Sequence, residues 1–257
     1  QDPPATGTYA DDKYIILHNN GFETYYLDGL CLAMVAPYNS QAANPWTSTD
    51  PSGNIVFRDY AAVPDCIWMF PGSGTDFPLQ PGEDAVVAYH GVDHTQTYSQ
   101  SVNLNRKGCF VLYDMVYYPG NKLHPTPVPG DQIDQAHYMK VLKKTGTNTA
   151  VVYVISQNSP AVILFRAPEG FDLEAYLADG LQSTVQSGSI TYSKIPWDDW
   201  IVDGVEVCNM TEATKHKRLH TDVDAGYVGF SAKAQGHTLH RKLDEAATAA
   251  AGFERYV

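Results

Sequence analysis

Residues 14–34 read Tyr-Ile-Ile-Leu-His-Asn-Asn-Gly-Phe-Glu-Thr-Tyr-Tyr-Leu-Asp-Gly-Leu-Cys-Leu-Ala-Met. The stretch holds two short apolar runs. Tyr14-Ile15-Ile16-Leu17 is one, and the other runs from Tyr25 through Leu32 with Asp28-Gly29 inside it. Between them lies Asn19-Asn20-Gly21, whose residue types tolerate the positive φ angles of tight turns. The pattern predicts a β-hairpin at the start of the fold, with an apolar face.

Composition extends this reading outward. The 257 residues are 44% hydrophobic, enough for a real core, and 12% aromatic, with 17 Tyr against 9 Phe. Tyrosine joins an apolar ring to a wet hydroxyl and suits strands and half-exposed surfaces. With 20 Gly and 16 Pro, the chain leans toward β structure with many turns. The net charge of −12 argues against unspecific nucleic-acid binding, which depends on neutralising phosphates, and against adsorption to anionic lipid. Its plainest role is solubility.

No apolar run approaches the ~20 residues that span a membrane. No signal peptide is visible, and Gln1-Asp2-Pro3-Pro4 reads as a mature terminus, compatible with export. Cys31, Cys66, Cys109 and Cys208 each sit in an apolar, strand-like segment, and no CxxC pair occurs. Two disulfides in any of three connectivities remain open; buried free thiols are the preferred reading.

Strand patterns recur along the chain at Cys66–Phe70, Ala85–Tyr89, Cys109–Val116, Ala150–Ser156, Ala161–Arg166, Ile201–Val207, Tyr227–Phe230 and Thr238–Leu243. Leu173, Tyr176, Leu177 and Leu181 recur at helical spacing and predict a helix over Asp172–Gln182. Ala246–Ala251 reads as helical or loose. Two long loops interrupt the pattern, Tyr38–Pro64 and the proline-rich Tyr117–His137. Many strands, few helices and two long loops predict a mainly β sandwich with insertions.

Chemistry-bearing residues are sparse. His216 with His220, and His237 with His240, lack the third and fourth ligands of a zinc site, and the first pair sits in a basic segment. His90, Asp93 and His94 follow a strand and are the metal candidates; the alternative is a loop in which Asp93 and Thr95 make turn hydrogen bonds. Gly72-Ser73-Gly74 lacks the strand–helix setting of a nucleophile elbow, and phosphate-binding glycine loops are missing. Asp11-Asp12 and Asp198-Asp199 are acidic pairs, the second expected on opposite faces of a strand. The better binding candidates are loop aromatics. Trp46, Phe57 and Tyr60 lie in the first long loop, and Tyr117, Tyr118 and Tyr138 flank the second. Such rings stack on sugars or anchor a protein partner, unless they fold back into a small core under the loop.

Tyr14–Asn20 followed by Tyr26-Leu27-Asp28-Gly29-Leu30 resembles the opening of lamin-tail-like domains. More specifically, the chain resembles the DUF4876 family of uncharacterised Bacteroides-group surface proteins. The matching blocks are Phe70–Gly74, Pro78–Glu83, Asp93-His94-Thr95, Trp200–Glu206, Lys217-Arg218-Leu219 with Asp224–Tyr227, and Arg241-Lys242. Ile16 stands where such hairpins usually carry glutamate, and the family's polar ending does not follow Val257. The resemblance implies an immunoglobulin-like (lamin-tail-like) β-sandwich over residues 14–257, preceded by a tail or linker over 1–13, with one or two short helices. It also implies an exported, lipid-anchored outer-membrane surface protein that accompanies TonB-dependent transport systems. It supplies no catalytic residues.

The expectation is therefore a non-enzymatic surface binding or accessory module without a cofactor. Its ligand would be a glycan, a small nutrient complex or a TonB-dependent outer-membrane protein, bound through Trp46, Tyr60, Tyr117, Tyr118 and Tyr138. It would bind no nucleic acid and meet the membrane only through a lipid anchor. The alternatives are a metal-dependent hydrolase using His90, Asp93 and His94, and a structural or adhesive spacer.

Overall fold

Short runs of β-branched and aromatic residues, cut by Gly, Pro, Asn and Asp, can bury one face at a time only as short strands. The computed structural model describes residues 9–64, 67–117, 127–143, 155–156, 158–185, 191–232, 236–252 and 254–256. Its first strands are β1 (Tyr14–His18), β2 (Tyr25–Tyr26), β3 (Cys31–Met34), β4 (Thr47–Thr49), β5 (Ile55–Phe57), β6 (Tyr60–Val63), β7 (Ile67–Met69) and β8 (Pro78–Leu79). Then come β9 (Asp84–Ala88), β10 (Phe110–Val111), β11 (Lys140–Lys143), β12 (Ala161–Phe165), β13 (Ser183–Val185), β14 (Thr191–Pro196), β15 (Ile201–Asn209) and β16 (Val228–Phe230). Two short α-helices, α1 (Leu173–Ala178) and α2 (Glu245–Ala251), complete a mainly β, sandwich-type fold.

Contacts gather the chain into two units. The first comprises Gln1–Gly29, Met69–Lys140 and Ala232–Val257; the second comprises Leu30–Trp68 and Val141–Ser231. In the first unit the sheet order is β1-β9-β10, with β2 and β8 paired apart from it. In the second unit, a six-stranded sheet runs β11-β7-β3-β12-β15-β16, beside the small sheets β13-β14-β6 and β4-β5. Every residue of β3 is buried, and Ala161, Ile163 and Phe165 of β12 are fully buried beside it.

The expected opening hairpin does not form. β1 pairs antiparallel with β9, from Tyr14↔Ala88 to His18↔Asp84, while β2 pairs with β8 and β3 with β12. The cause is Asn19. No residue of Asn19-Asn20-Gly21 adopts a positive φ. Instead the Asn19 backbone prolongs the β1–β9 ladder, donating to Glu83 O at 3.0 Å and accepting from Gly82 N at 2.8 Å. Its side-chain amide donates to Glu23 O and Leu79 O at 2.8 and 2.7 Å. The turn that looked built to reverse the chain thus fastens it to Pro78–Glu83.

Other differences have equally local causes. The expected helix stops at Ala178 because Asp179 turns extended and its carboxylate caps a separate 3-10 turn at Gly180–Gln182. The strand expected over Cys109–Val116 shortens to β10, since the Asp114 carboxylate takes the Val116 N–H at 2.9 Å and starts a turn. Thr238–Leu243 forms no strand, only a single bridge from Leu243 to Tyr256. The first long loop instead holds the β4–β5 hairpin and β6, whose polar Thr-Ser-Thr gave no strand signal. Cys31, Cys109 and Cys208 are buried free thiols, and burial pushes Cys31 up to about 12 and Cys109 to about 11. Cys66 and most of Ala150–Ser156 lie outside the described residues. Within the stretch expected as a tail, Asp12 is buried and accepts from the Ser101 hydroxyl at 2.7 Å.

Asp28 organises one end of the first unit. Its carboxylate, 3% exposed, accepts the backbone N–H groups of Gly74, Asp76 and Phe77 at 3.0, 2.8 and 2.9 Å. Gly72 has φ +113°, and a Cβ there would stand 2.1 Å from Asp28 Oδ1. The Phe70–Gly74 block is therefore a backbone wrap around a carboxylate. Burial pushes the Asp28 carboxyl up, but the N–H groups of Asp76, Phe77 and Gly74 outweigh it and hold the group below the ordinary range. A depressed folded value means stability that is complete above the unfolded pKa of about 3.9 and lost as pH falls through the folded one. Asp28→Asn should cost roughly 1–3 kcal/mol at pH 7 by stranding buried donors. In urea unfolding the deficit should shrink below about pH 4; a deficit constant from pH 3 to pH 7 would contradict the account.

At the far end of β1, His18 fastens the C-terminal segment. Its Nδ1 lies 2.8 Å from Asp84 Oδ1 and its Nε2 3.0 Å from Glu254 Oε2. Tyr256 OH donates to the same Glu254 oxygen at 2.7 Å, and Asn20 Nδ2 donates to Glu254 O at 2.7 Å. Partial burial lowers the His18 value, but hydrogen bonds and charge from Asp84 and Glu254 raise it above the ordinary one. Tyr256 and His18 hold Glu254 below its own. The His18 contribution is complete below about pH 6.5 and lost as pH rises through its folded value; that of Glu254 is complete above about pH 4.3 and lost on acidification. Hydrogen-exchange protection over residues 244–252, taken relative to the intrinsic rate at each pH, should be greatest between those limits and fall on either side. His18→Gln should remove the alkaline limb, and an unchanged profile would rule the latch out.

Candidate functional site

His90, Asp93 and His94 are each committed to a different task. His94 is 1% exposed. Its Nε2 lies 3.1 Å from the His90 carbonyl, which can only accept, so Nε2 carries the proton and Nδ1 accepts from the Tyr9 hydroxyl at 2.6 Å. Asp93 caps the 3-10 turn at His94–Gln96, accepting from Thr95 N at 3.0 Å, the Thr95 hydroxyl at 2.6 Å and Gln96 Nε2 at 3.0 Å. The His90 ring stacks on Tyr89 with centroids 4.4 Å apart and stands 6.5 Å from the His94 ring. Burial, with His94 and Lys13 nearby, pushes His90 down to about 4 against the opposing pull of Asp11. The three side chains do not converge. Among the described residues, no group of three His, Cys, Asp or Glu side chains could hold a metal ion.

The first-loop aromatics fold inward. Trp46, 7% exposed, meets Tyr192 edge-on with centroids 4.8 Å apart and packs with Ala36, Ala62 and Tyr60 in a small core. Half-buried Tyr60 is covered by Lys194, whose Nζ lies 5.5 Å from the ring centroid. Trp46 and Tyr60 are thus brought together, as packing. In the first unit, half-buried Tyr138 meets buried Tyr113 at 5.4 Å, and Tyr117 closes a turn by donating its N–H to Asp114 O at 2.9 Å. Tyr118 lies outside the described residues.

A different trio meets in the second unit. Phe57 at the end of β5, Trp197 after β14 and His220 in the connection from β15 to β16 are all half-buried. Their centroids stand 5.4 Å (Phe57–His220), 6.1 Å (Phe57–Trp197) and 6.3 Å (Trp197–His220) apart. Asp198 and Asp199 follow Trp197 in a turn rather than the strand expected for them, and both are exposed. Asp199 takes φ +63°, the one positive φ outside glycine among the described residues. Neither carboxylate makes an ion pair among the described residues. Asp222 Oδ2 lies 3.3 Å from His220 Nδ1. Asp59, whose carbonyl accepts from Trp197 N at 3.4 Å, and Arg58 are also exposed beside the rings. The chemistry offered is stacking on rings, with carboxylates at hand to accept hydrogen bonds.

A buried ion pair positions the third ring. Arg218, two residues before His220, is 1% exposed, and both its backbone N and its Nε donate to Glu206 Oε1 on β15, at 2.9 and 3.1 Å. Its Nη1 donates to Ser159 O, and Lys217 pairs with the other Glu206 oxygen. Asp224 Oδ2 accepts from Glu206 N at 2.7 Å, while Val223 N and Asp224 N both donate to His220 O. Gly204 makes room: a Cβ there would stand 2.8 Å from Val223 and 3.0 Å from Leu219. The Lys217–Leu219 and Asp224–Tyr227 blocks are therefore the clamp that holds His220. In the sequence Phe57, Asp198-Asp199 and His220 stand far apart. No spacing in the chain relates positions 57, 197 and 220.

Comparison with known proteins agrees with the fold. Residues 80–256 match the model of DUF4876, a protein family of unknown function. A crystal structure of a DUF4876 family protein from Bacteroides thetaiotaomicron is similar over 100% of this chain, at 24% identity and a TM-score of 0.71. The chain spans 64% of that protein's length. No curated protein matches the chain.

Removing Glu206 strands the buried Arg218 charge, and removing Arg218 leaves Glu206 to Lys217 alone. Glu206→Gln and Arg218→Met should each lower stability by about 3–5 kcal/mol. The double variant Glu206→Met, Arg218→Met should lose less than the two single losses added together. Urea unfolding checks this; losses that simply add would show that the two groups act apart.

Proposed function

The chain belongs to the DUF4876 family, and we propose that it is a non-enzymatic binding or accessory module of the outer-membrane surface, lipid-anchored in its full precursor. In this reading it captures a ligand beside a TonB-dependent transporter. The observation that supports it is the meeting of Phe57, Trp197 and His220 from three distant segments, partly open to solvent and flanked by exposed carboxylates. A packing cluster with no other role would gain from closing over its rings. Half-exposed rings on a rigid frame are instead what recognition uses, because stacking needs an open face. The location reading draws on the family resemblance and on charge. A chain of net charge −12 is repelled by anionic lipid, so a covalent anchor rather than adsorption would hold it at a membrane.

Capture from glycan arrays and from detergent-solubilised outer-membrane extract tests the reading. The wild type should bind in at least one format. Phe57→Ala with Trp197→Ala should weaken that binding tenfold or more, about 1.4 kcal/mol, while a melting curve shows the fold intact. Binding in neither format would overturn it.

A further inference from the structure

We infer that the ligand seated on Phe57, Trp197 and His220 is a neutral or amino sugar, taken as a single unit at a chain end or branch; this rests on the binding reading above. Three features of the site lead there. Ring faces attract the apolar C–H face of a pyranose, while carboxylates beside them accept its hydroxyls, and each carboxylate oxygen can take more than one. Asp198 and Asp199 stand directly after Trp197 with neither engaged in an ion pair among the described residues, and Asp222 borders His220. Asp198 and Asp199, acceptors with no ion-pair partner among the described residues, suit a ligand rich in donors.

Charge sets the second limit. Among the described residues within two positions of each ring, Asp59, Asp198, Asp199 and Asp222 are exposed carboxylates and Arg58 is the one exposed cation, on a chain of net charge −12. Uronic acids and sulfated sugars would meet like charge, whereas a protonated amino sugar would meet opposite charge. Shape sets the third. The centroids all lie within 6.3 Å of one another, and the interplanar angles run from 48° to 79°. Such tilted rings form one compact bent footprint, not the flat strip along which successive sugars of a ribbon would stack. The left-handed backbone at Asp199 is the strained point that brings both aspartates into the turn behind Trp197.

Affinity electrophoresis at low ionic strength, where charge is least screened, tests the assignment. The gels would hold galactomannan, xyloglucan, glycol chitosan, polygalacturonate or chondroitin sulfate. Retardation is expected in one or more of the first three and not in the last two. Trp197→Ala should weaken it at least tenfold. Asp198→Asn with Asp199→Asn, on exposed positions that leave the fold undisturbed, should weaken it several-fold and relieve the exclusion of polygalacturonate. Retardation by the acidic polysaccharides as strong as by the neutral ones would overturn the assignment, as would retardation indifferent to both variants. If no gel retards the protein while capture from membrane extract still depends on Trp197, the sugar is wrong and the binding module stands. If neither occurs, both fall.

Discussion

Glu206 and Arg218 carry opposite charges in almost complete isolation from water, and the second unit is arranged around keeping them satisfied. Taking each ion out of water costs several kcal/mol, so the pair persists only if every polar atom finds a partner. Arg218 therefore spends its backbone N–H and its side chain on Glu206 and on Ser159 O, and Asp224 turns back to meet the Glu206 amide. These demands draw the connection from β15 to β16 down over Gly204, where any side chain would collide with Leu219 and Val223. His220 has little choice of position after that. The half-exposed aromatic face is thus a consequence of a charge pair buried beneath it.

The first unit uses the same physics with a different donor set. Three backbone N–H groups hold the Asp28 carboxylate, and glycine at 72 lets the chain approach closely enough to supply them. Both carboxylates belong to segments that resemble family motifs, and in both cases the motif describes how a loop is folded rather than what it reacts with. The Gly-Ser-Gly segment is bent around a buried acid, and Ser73 itself bonds Asp76.

Strands were legible from the sequence wherever an apolar run stood alone: β1, β7, β9, β12, β15 and β16 all fall on expected segments. Their partners were not. Asn19-Asn20-Gly21 has the composition of a tight turn, yet Asn19 gains more by bonding two carbonyls of other segments than by reversing the chain. Strands in the first long loop escaped notice because Thr47-Ser48-Thr49 has no apolar alternation to betray it. Site reading met the same limit. Trp46 and Tyr60 were plausible binding residues until packing placed them in a small core, and His90, Asp93 and His94 sit close in sequence while pointing to separate partners. The rings that do share a face come from positions whose adjacency arises only once β5, β14 and the clamp at Arg218 are in place.

That origin bears on how tightly such a face can bind. Three rings within 6.3 Å of one another offer a small contact area, and a compact stacking site is worth a few kcal/mol, which by itself corresponds to weak, millimolar-range affinity. Pre-organisation helps, because the clamp has already met the ordering cost of His220, but it cannot enlarge the footprint. A weak site becomes effective when many copies are held at one surface, since tethering replaces free diffusion by a high local concentration. The modest size of the aromatic face therefore favours multivalent contact: a single copy of such a site would stay mostly empty, whereas many copies held together would retain a polymeric ligand through repeated, individually weak contacts.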